Sequence, residues 1–449
     1  MWSDVQGPSL GEVVTLVRGT TYKSKLLGRP GPVLLGLASI QRNGGFRDDS
    51  LKTYGGESKP KLLLKPGDLY VSLKDVTQSA DLLGAVARVP QSIHVGRLTQ
   101  DTVKLEIGDS QFPPDLIYWT LRAPQFRSYC RSHATGTTNL GLSREDFLAF
   151  RLPPATTSTL SFVELLEAIE SRIENLLGAN AMLEAFAQAV FKSWFVDFDP
   201  VYAKAEGRAP EGMDGYTAAL FPNEFQDCEL GVMPKGWRVA ALAEHIDADR
   251  GLSYKGAGLA ELGDGLPMHN LNSVLEGGGY KYAGIKYYSG QYKERHLVDA
   301  GEIIVANTEQ GHEHRLIGFP AVVPALYPKA LFSHHLYRVR IKATSPTTTE
   351  WLYRCLMVPA VREQIVGCTN GSTVNMLKAV GLEIPRFVMP TEQACKAFTD
   401  FVHPMRQTIE GNVQRVGTLG NLRDTLLPRL ISGKLRLPVA EAVVEEAMA

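Results

Sequence analysis

The sequence contains a long internal repeat. Short motifs recur in the same order in both halves, and the offset between their numbers drifts only between 232 and 236. A period this long excludes a solenoid, whose units have about 20–50 residues. It indicates two copies of a whole domain, and so two copies of one binding task. The matched pairs are 18–23 (RGTTYK) with 250–255 (RGLSYK), 66–72 with 300–306, 83–84 with 317–318, 89–90 with 323–324, 135–138 with 370–373, and 152–153 with 384–385.

Length and composition set the class of protein. At 449 residues the chain exceeds what one hydrophobic core usually supports, so two or more domains are expected. No run of about 18 apolar residues occurs, so we expect no membrane span, and no secretory signal is evident. The five cysteines never form a C-x-x-C pair. This usage favours a reducing cytoplasm and argues against a disulfide framework or a zinc site.

Charge is unevenly distributed, although the net charge is only -1. Residues 1–155 hold 19 Lys and Arg against 14 Asp and Glu, a net of +5, whereas 156–199 hold 2 against 7, a net of -5. Residues 236–385 hold 15 against 14 and contain 7 of the 10 histidines. Because exposed charges are screened beyond about 10 Å, the local patch decides attraction to phosphate. The first domain therefore suits a polyanion better than the second.

Each half divides into an irregular domain and a helical segment. The domains are rich in Gly, Pro and short β-type runs such as 69–73 and 302–306, which predicts an α+β fold with long loops. Pro- and Gly-rich residues between the halves mark a linker. The expected order is domain 1–155, helical spacer 156–199, linker 200–235, domain 236–387, helical spacer 388–436 and acidic tail 437–449.

The helical segments carry apolar residues spaced alternately four and three, a heptad seam of the kind that pairs helices. Thr157 or Ser158 is expected to cap the first helix and Thr391 the second. Each seam contains a single Asn, Asn180 and Asn412, and a buried Asn favours another Asn opposite it. In an end-matched antiparallel pair, opposed positions sum to 592, as these two do. We therefore predict an antiparallel coiled coil with pseudo-two-fold symmetry.

Two stretches resemble a known family. Residues 191–201 (FKSWFVDFDPV) with 203–207 (AKAEG) strongly resemble the central conserved region of type I restriction–modification specificity subunits. Residues 426–435 (LLPRLISGKL) resemble the C-terminal counterpart of that region. The resemblance extends to the layout of variable domain, conserved helix, variable domain and conserved helix.

The resemblance implies a non-catalytic subunit that reads DNA sequence. Each target-recognition domain would read one half of an asymmetric, bipartite site in double-stranded DNA. The helical pair would fix the spacer and dock DNA-methyltransferase (modification) subunits, and restriction/translocase subunits would complete the complex. The chain itself would bind no cofactor, and S-adenosylmethionine, ATP and Mg would be bound only by partner subunits.

The repeated motif supplies the first candidate DNA contacts. Arg, Tyr and Lys side chains can donate hydrogen bonds to phosphates or base edges. Repeat matches also preserve packing, so the paired Gly and Tyr could equally be fold determinants. The candidates are Arg18, Tyr22, Lys23, Arg250, Tyr254 and Lys255.

A second set lies in the second domain. Over residues 280–295 aromatic and cationic residues alternate, as suits base stacking and phosphate contact, and His312, His314 and Arg315 follow a predicted strand and could enter a groove. An exposed strand has the same pattern. His312 and His314 could form half of a metal site, but no third ligand is placed by spacing, and no metal is expected. The 136–139 and 371–373 motifs favour turns over phosphate contacts. The candidates are Tyr280, Lys281, Lys286, Lys293, Arg295, His312, His314 and Arg315.

Enzymatic motifs are missing from the sequence. It contains no phosphate-binding loop, no H-E-x-x-H and no G-x-S-x-G. It also lacks the Asn/Asp-Pro-Pro-aromatic tetrapeptide of amino-methyltransferases, since residues 112–115 (FPPD) have the wrong neighbours. These absences favour a recognition subunit. A protein–protein scaffold with duplicated domains, or an enzyme with an unrecognised site, remain as alternatives.

Overall fold

A computed structural model describes residues 7–48, 51–77, 79–108, 112–137, 139–311, 313–371 and 374–432. The chain mixes α-helices and β-strands, as the α+β prediction requires. It divides into two compact units. The first is formed by the residues up to Leu176 and from Gln414 onward, and the second runs from Leu177 to Val413. Each long helix thus contributes its two ends to different units.

The first unit contains short helices and strands followed by a long helix. Its helices are α1 Leu10–Val13, α2 Pro114–Arg122, α3 Pro124–Ser132, α4 Arg144–Ala149 and the start of α5 Thr157–Phe195. Its strands are β1 Val14–Arg18, β2 Val33–Leu35, β3 Leu63–Leu64, β4 Leu69–Ser72, β5 Lys74–Asp75, β6 Val86–Arg88, β7 Gly96–Leu98, β8 Thr102–Ile107 and β9 Leu140–Gly141. Short 3₁₀ helices lie at Ser24–Leu26, Leu37–Ser39 and Pro60–Leu62.

The second unit repeats this order after an additional segment. Its helices are α6 Asp199–Ala205, α7 Gly215–Ala219, α8 Thr349–Cys355, α9 Pro359–Gly367, α10 Val380–Glu383 and the start of α11 Glu392–Ser432. Its strands are β10 Phe225–Cys228, β11 Gly231–Pro234, β12 Arg238–Ala241, β13 Ile246–Arg250, β14 Leu259–Ala260, β15 Leu266–His269, β16 Lys286–Tyr288, β17 Leu297–Asp299, β18 Ile303–Ala306, β19 Thr308–Gln310, β20 Pro320–Val322, β21 Lys329–Phe332, β22 Leu336–Ile341, β23 Thr369–Asn370, β24 Val374–Leu377 and β25 Arg386–Met389. Its 3₁₀ helices are Leu242–Glu244, Gly256–Gly258, Leu271–Ser273, Tyr282–Gly284 and Glu294–His296.

The two units share one sheet topology. The main antiparallel sheet has the order β1-β8-β4-β6 in the first unit and β13-β22-β18-β20 in the second. Even the register repeats, because Leu16 lies opposite Leu105 in one sheet and Ala248 lies opposite Val339 in the other. The central strands β4 and β18 are buried throughout, which explains why each reads as an apolar run.

Each main sheet packs against the two helices that follow it. Proline at the first turn of α2, α3 and α9 begins those helices where the missing N–H costs nothing. Trp119 in the first unit and Trp351 in the second are almost completely buried in the respective cores.

Residues on the long helices contact each other within each unit. In the second unit, Asn412 Nδ2 donates a hydrogen bond to Asn180 Oδ1 at 2.8 Å, and the rings of Trp194 and Phe398 lie 6.0 Å apart. In the first unit, Arg423 Nη1 donates to Glu170 at 2.8 Å. The two helix segments of the second unit are therefore antiparallel.

The expected cap of α5 is wrong by one or two residues. The Thr156 hydroxyl, and not Thr157 or Ser158, accepts the N–H of Thr159 at 3.2 Å. The hydroxyl must precede the first helical residue to reach that N–H, and α5 begins at Thr157. At α11 the expected cap is confirmed, because the Thr391 hydroxyl accepts the N–H of Ala394 at 3.3 Å.

Residues 200–235 do not form a loose tether, although their Pro and Gly content predicts a linker. They include most of α6, all of α7 and the β10–β11 hairpin. Val201 and Phe221 are buried in the core of the second unit. Proline here begins α6 and glycine forms turns, so the same residues that suggest a linker shape a folded segment.

Candidate nucleic-acid interface

The repeated motif forms a close contact between two chain segments. In the second unit, the Leu252 N–H donates to Phe332 O at 2.8 Å, and the His334 N–H donates to Leu252 O at 2.9 Å. A Cβ on Gly251 would lie only 2.3 Å from Ser333 O, so only glycine permits this approach. The glycine of the motif is therefore structural, and it places the residues on either side of it beside the turn at His334.

This turn brings together three sequence candidates of the second unit. Arg250 Nε donates to His334 O at 3.1 Å. The Tyr254 ring lies 6.3 Å from the His334 ring, and Lys286 Nζ donates to the Tyr254 hydroxyl at 3.2 Å. Two cations and two aromatic rings thus lie close together, which suits phosphate contact and base stacking. We call this group, Arg250, Tyr254, Lys286 and His334, the candidate edge of the second unit. Lys255, next along the chain, is exposed.

Two histidines at this edge are not predicted by any sequence motif. The His334 and His335 rings lie 3.9 Å apart, and His335 Nδ1 lies 3.4 Å from the Thr308 hydroxyl. Burial and the positive charges of His334 and Arg250 lower the pKa of His335. The high histidine content of this domain was a signal, but nothing in the local pattern distinguishes these two from the other five.

In the first unit, a buried arginine holds the equivalent motif. Arg97 Nη2 donates to the Thr20 hydroxyl at 3.1 Å and to Thr21 O at 3.2 Å. Its guanidinium also lies 4.7 Å from the centre of the Tyr54 ring. No sequence pattern marked Arg97, because its role depends on long-range contacts.

The candidates of the first unit lie on the outside of this loop. Tyr22 is 40% exposed and meets Tyr54 edge to face, with ring centres 6.2 Å apart. Arg18, at the end of β1, and the side chain of Lys23 are exposed. Tyr22 also borders a groove of about 470 Å³ that Lys52 and other polar side chains line.

The residues from Tyr280 to Arg295 do not form one cluster. Tyr280 is half-buried against a core cluster, and its hydroxyl lies 3.0 Å from His269 Nδ1. Burial raises the pKa of the Tyr280 hydroxyl far above its ordinary value. Lys281, Lys293 and Arg295 are exposed, whereas Lys286 joins the edge at Tyr254.

The last candidates lie in a turn after β19. Arg315 is exposed and its guanidinium lies 2.7 Å from Glu313. His314 is half-buried and has a left-handed backbone, with φ of 49°. His312, like Thr138, Ser372 and Thr373 of the turn motifs, lies outside the described residues. Gly136 and Gly371 have positive φ, as turn residues do.

The motif that carries the family resemblance is part of a core. Phe191, Trp194 and Phe195 are buried in the second unit and pack against Phe398. Lys192 and Asp197 form an ion pair at the end of α5. These residues therefore specify packing, and their side chains do not belong to the candidate interface.

Two kinds of feature are absent from the described residues. No group of three or more His, Cys, Asp or Glu side chains in this part of the chain could hold a metal ion. No helix among the same residues is long and apolar enough to cross a membrane.

Comparison with known proteins identifies relatives of one kind. The MjaIX type I restriction enzyme specificity subunit of Methanocaldococcus jannaschii is 22% identical over 326 residues, covering 72% of this chain and 69% of that protein. The HindI specificity subunit of Haemophilus influenzae is 24% identical over 334 residues, covering 64% and 69%. No family model matches the chain.

A solved structure shows the same fold. The type I restriction–modification S subunit from M. genitalium superimposes with a TM-score of 0.52 and 13% identity. The match covers 94% of this chain and 95% of that one. The resemblance predicted from residues 191–207 and 426–435 is confirmed.

Proposed function

We propose that this chain, a relative of the type I restriction–modification specificity subunits, is a non-catalytic subunit that reads an asymmetric, bipartite site in duplex DNA. The observation that carries the proposal is one sheet topology used twice with different side chains at the same edge. Both units place the Arg, Tyr and Lys of the repeated motif at this edge, but the second unit has a histidine pair, His334 and His335, at the positions that Gln100 and Asp101 occupy in the first. This difference suits two different half-sites. A homodimer with identical halves would read a palindrome instead.

The domains take their roles from this reading. Residues 1–155 and 236–387 would be the target-recognition domains, and 156–199 and 388–436 the helical spacers. The spacers would form an antiparallel coiled coil, which the hydrogen bond between Asn180 and Asn412 supports. The described helices have 39 and 41 residues, about 60 Å each at 1.5 Å per residue. That length is enough to separate two readers by a DNA turn of about 34–36 Å.

The partners follow from the family. The coiled coil would dock DNA-methyltransferase subunits, and restriction/translocase subunits would join them. S-adenosylmethionine, ATP and Mg would be bound by those partners. The absence from this sequence of an amino-methyltransferase tetrapeptide and of a phosphate-binding loop supports the division of labour.

Salt dependence of duplex binding tests the proposal. Cations that neutralise phosphates release counterions, so the affinity of the assembled methyltransferase should fall steeply as salt rises. Fluorescence anisotropy with a labelled genomic duplex, measured from about 50 to 200 mM salt, reports the slope. A protein–protein scaffold would give a slope near zero, and that result would contradict the proposal.

The Arg250→Gln variant tests whether the candidate edge contributes to the salt dependence of binding. If Arg250 contacts a phosphate, the variant should weaken binding about uniformly across sequences and reduce the magnitude of the salt slope by about 1. Arg340→Gln is the matched control, because Arg340 is a half-exposed arginine of the same sheet that pairs with Glu302. An Arg250→Gln slope equal to that of the wild type would remove Arg250 from the interface.

A further inference from the structure

A buried carboxylate shapes the turn that follows β19 in the second unit. Glu309 is only 8% exposed. Its two oxygens accept three successive backbone N–H groups, from Arg315 at 2.9 Å, Leu316 at 3.1 Å and Ile317 at 2.9 Å. A single side chain thus sets the path of the backbone over these residues.

A buried arginine binds the carbonyl groups of the same turn. Arg362 on α9 donates through Nη1 to Ile317 O at 2.6 Å and through Nη2 to His314 O at 2.9 Å. Its guanidinium lies 3.4 Å from the centre of the Phe319 ring. The N–H groups of the turn therefore donate to a carboxylate, and its carbonyl groups accept from a guanidinium. We call Glu309 and Arg362 together the second clamp.

The first unit has a clamp at equivalent positions. Asp75 accepts the N–H groups of Thr77 at 2.8 Å and Leu82 at 2.7 Å. Arg127 on α3 donates to three carbonyl oxygens, those of Ala80 at 3.1 Å, Asp81 at 2.8 Å and Leu83 at 2.5 Å. Asp75 and Arg127, the first clamp, are offset from Glu309 and Arg362 by 234 and 235, which is the offset of the sequence repeat.

Packing alone does not account for the buried charged side chains of the two clamps. Burying a charge costs several kcal/mol unless hydrogen bonds compensate, and an apolar pair would be less costly in a core. Burial lowers the pKa of Arg362 to about 10 and also lowers that of Arg127, yet each retains its charge at neutral pH. Both arginines are retained where they fix the carbonyl groups of a turn, which indicates that the shape of the turn matters.

The acids of the two clamps lie beside the candidate edge of each unit. In the second unit, β19 begins at Thr308, which contacts His335 beside the Arg250 edge. In the first unit, Lys74 precedes Asp75 and pairs with Asp101 at 3.7 Å, two residues beyond the bridge that joins Thr99 to Thr20. Each acid that holds a turn is thus next in sequence to a residue that contacts this edge.

The two turns present different chemistry on one scaffold. The second exposes the Arg315 guanidinium (62% exposed), and beside it lies half-buried His314. Surface ion pairs such as that of Arg315 with Glu313 contribute little, so Arg315 can exchange its partner for a base edge. The first turn exposes Ser79, whose hydroxyl can donate or accept.

We propose that the two clamps are positioning residues, and that the turns they hold, 79–83 and 313–317, each carry contacts that decide one half of the bipartite site. This inference rests on the proposed function. Neither clamp would touch DNA itself. Each would act by fixing the position of the turn whose side chains do.

Methylome sequencing of clamp variants tests the inference, and it does not require the target sequence to be known. The host would express the full-length chain with its modification subunits, as wild type, Asp75→Asn or Glu309→Gln. In each variant, the methylated motif should be degenerate in one half only. Asp75→Asn and Glu309→Gln should affect opposite halves. Discrimination at the affected positions should fall by about tenfold, the effect of one mismatched base contact.

Matched controls come from the same repeat. Asp68 and Glu302 also occupy equivalent positions of the two halves, and each accepts a backbone N–H at 2.8 Å and faces a cation, but neither binds a clamped turn. Asp68→Asn and Glu302→Gln should leave both half-motifs unchanged. Clamp variants that lower methylation at every site, with an unchanged motif, would overturn the inference because that result indicates a merely structural role.

Exposed variants keep the inference testable if a clamp variant does not accumulate. Arg315→Gln should alter the same half-motif as Glu309→Gln, and Ser79→Ala the same half as Asp75→Asn. Unchanged motifs in both exposed variants would overturn the inference. A wild-type chain that directs no bipartite motif would contradict the proposed function itself, which is a distinguishable result.

Discussion

A Cβ on Gly251 would lie 2.3 Å from Ser333 O, and one on Gly19 would lie 1.8 Å from Thr99 O. The glycines of the repeated motif are therefore needed for close approach between backbones. The flanking Arg18 and Arg250 carry no such constraint and are exposed. One short motif thus combines a structural glycine with exposed side chains that can contact a ligand.

Gly251→Ala should destabilise the second unit by about 1–3 kcal/mol, since the backbone must move to admit the methyl group. Gly256→Ala, in the same loop, adds a methyl group where no atom lies within 4 Å, and should change stability by less than about 1 kcal/mol. Urea unfolding followed by tryptophan fluorescence measures both. Equal effects of the two substitutions would contradict the close approach.

His269 predicts a pH dependence of stability. It is fully buried, and burial lowers its pKa to about 3. The unfolded chain therefore binds a proton below the ordinary pKa of about 6.5 that the folded chain does not, so stability is full above that pH and falls as the pH drops toward 3. The free energy of unfolding should decrease between pH 7.5 and 5.5 by about 1 kcal/mol from this residue alone.

His269→Gln removes this titration. Between pH 7.5 and 5.5, the free energy of unfolding of the variant should fall by about 1 kcal/mol less than that of the wild type, whatever the stability of the variant at pH 7.5. An identical decrease in the wild type and the variant would show that folding does not lower the pKa of His269, and would contradict the prediction.

At the scale of elements, the paired Asn residues connect two helix segments of the second unit. Asn412 is 8% exposed, and its amide donates to Asn180 Oδ1 at 2.8 Å. Replacing one partner leaves a polar group poorly satisfied, whereas replacing both with apolar residues removes the requirement. A buried Asn pair thus specifies register at some expense of stability.

A double-mutant cycle measures this pairing. Asn180→Leu and Asn412→Leu should each lower the free energy of unfolding by about 1–3 kcal/mol. The double variant should recover most of that loss, with a coupling energy of at least about 0.5 kcal/mol.

Asn175→Leu, at an exposed position of the same helix as Asn180, controls for added apolar surface and should change stability by less than about 0.5 kcal/mol. Additive effects of the two seam substitutions would mean that the Asn side chains do not interact.

The elements differ in how well the sequence predicts them. The heptad seam predicts helices over 156–199 and 388–436, and the described helices are Thr157–Phe195 and Glu392–Ser432. Apolar runs likewise predict the buried strands, observed as Leu69–Ser72 and Ile303–Ala306. These signals are local and periodic, so one sequence suffices to read them.

The site is less predictable because its geometry depends on distant residues. Arg97, Arg127 and Arg362 hold loops that lie far from them in the sequence, and single arginines carry no periodic pattern. Tyr280 shows the opposite failure, because an aromatic residue among lysines suggests an exposed position but is half-buried against a core cluster. The β10–β11 hairpin is not predicted because its Pro and Gly content is that of a linker.

At the scale of the whole molecule, duplication supplies the architecture and divergence supplies the function. The two units retain sheet order, the motif glycine and the clamp positions. They differ in charge, with a net of +5 over residues 1–155 against +1 over 236–385, and in the side chains at the candidate edge. Retained scaffold with altered contacts is what two different half-sites require.

Methylome sequencing of the host with and without this chain, in the presence of its modification subunits, tests the central claim most directly. The account predicts that one asymmetric, interrupted motif is methylated when the chain is present and is lost completely when it is absent. Methylation that does not depend on the chain, or a chain-dependent motif that is continuous and palindromic, would contradict it.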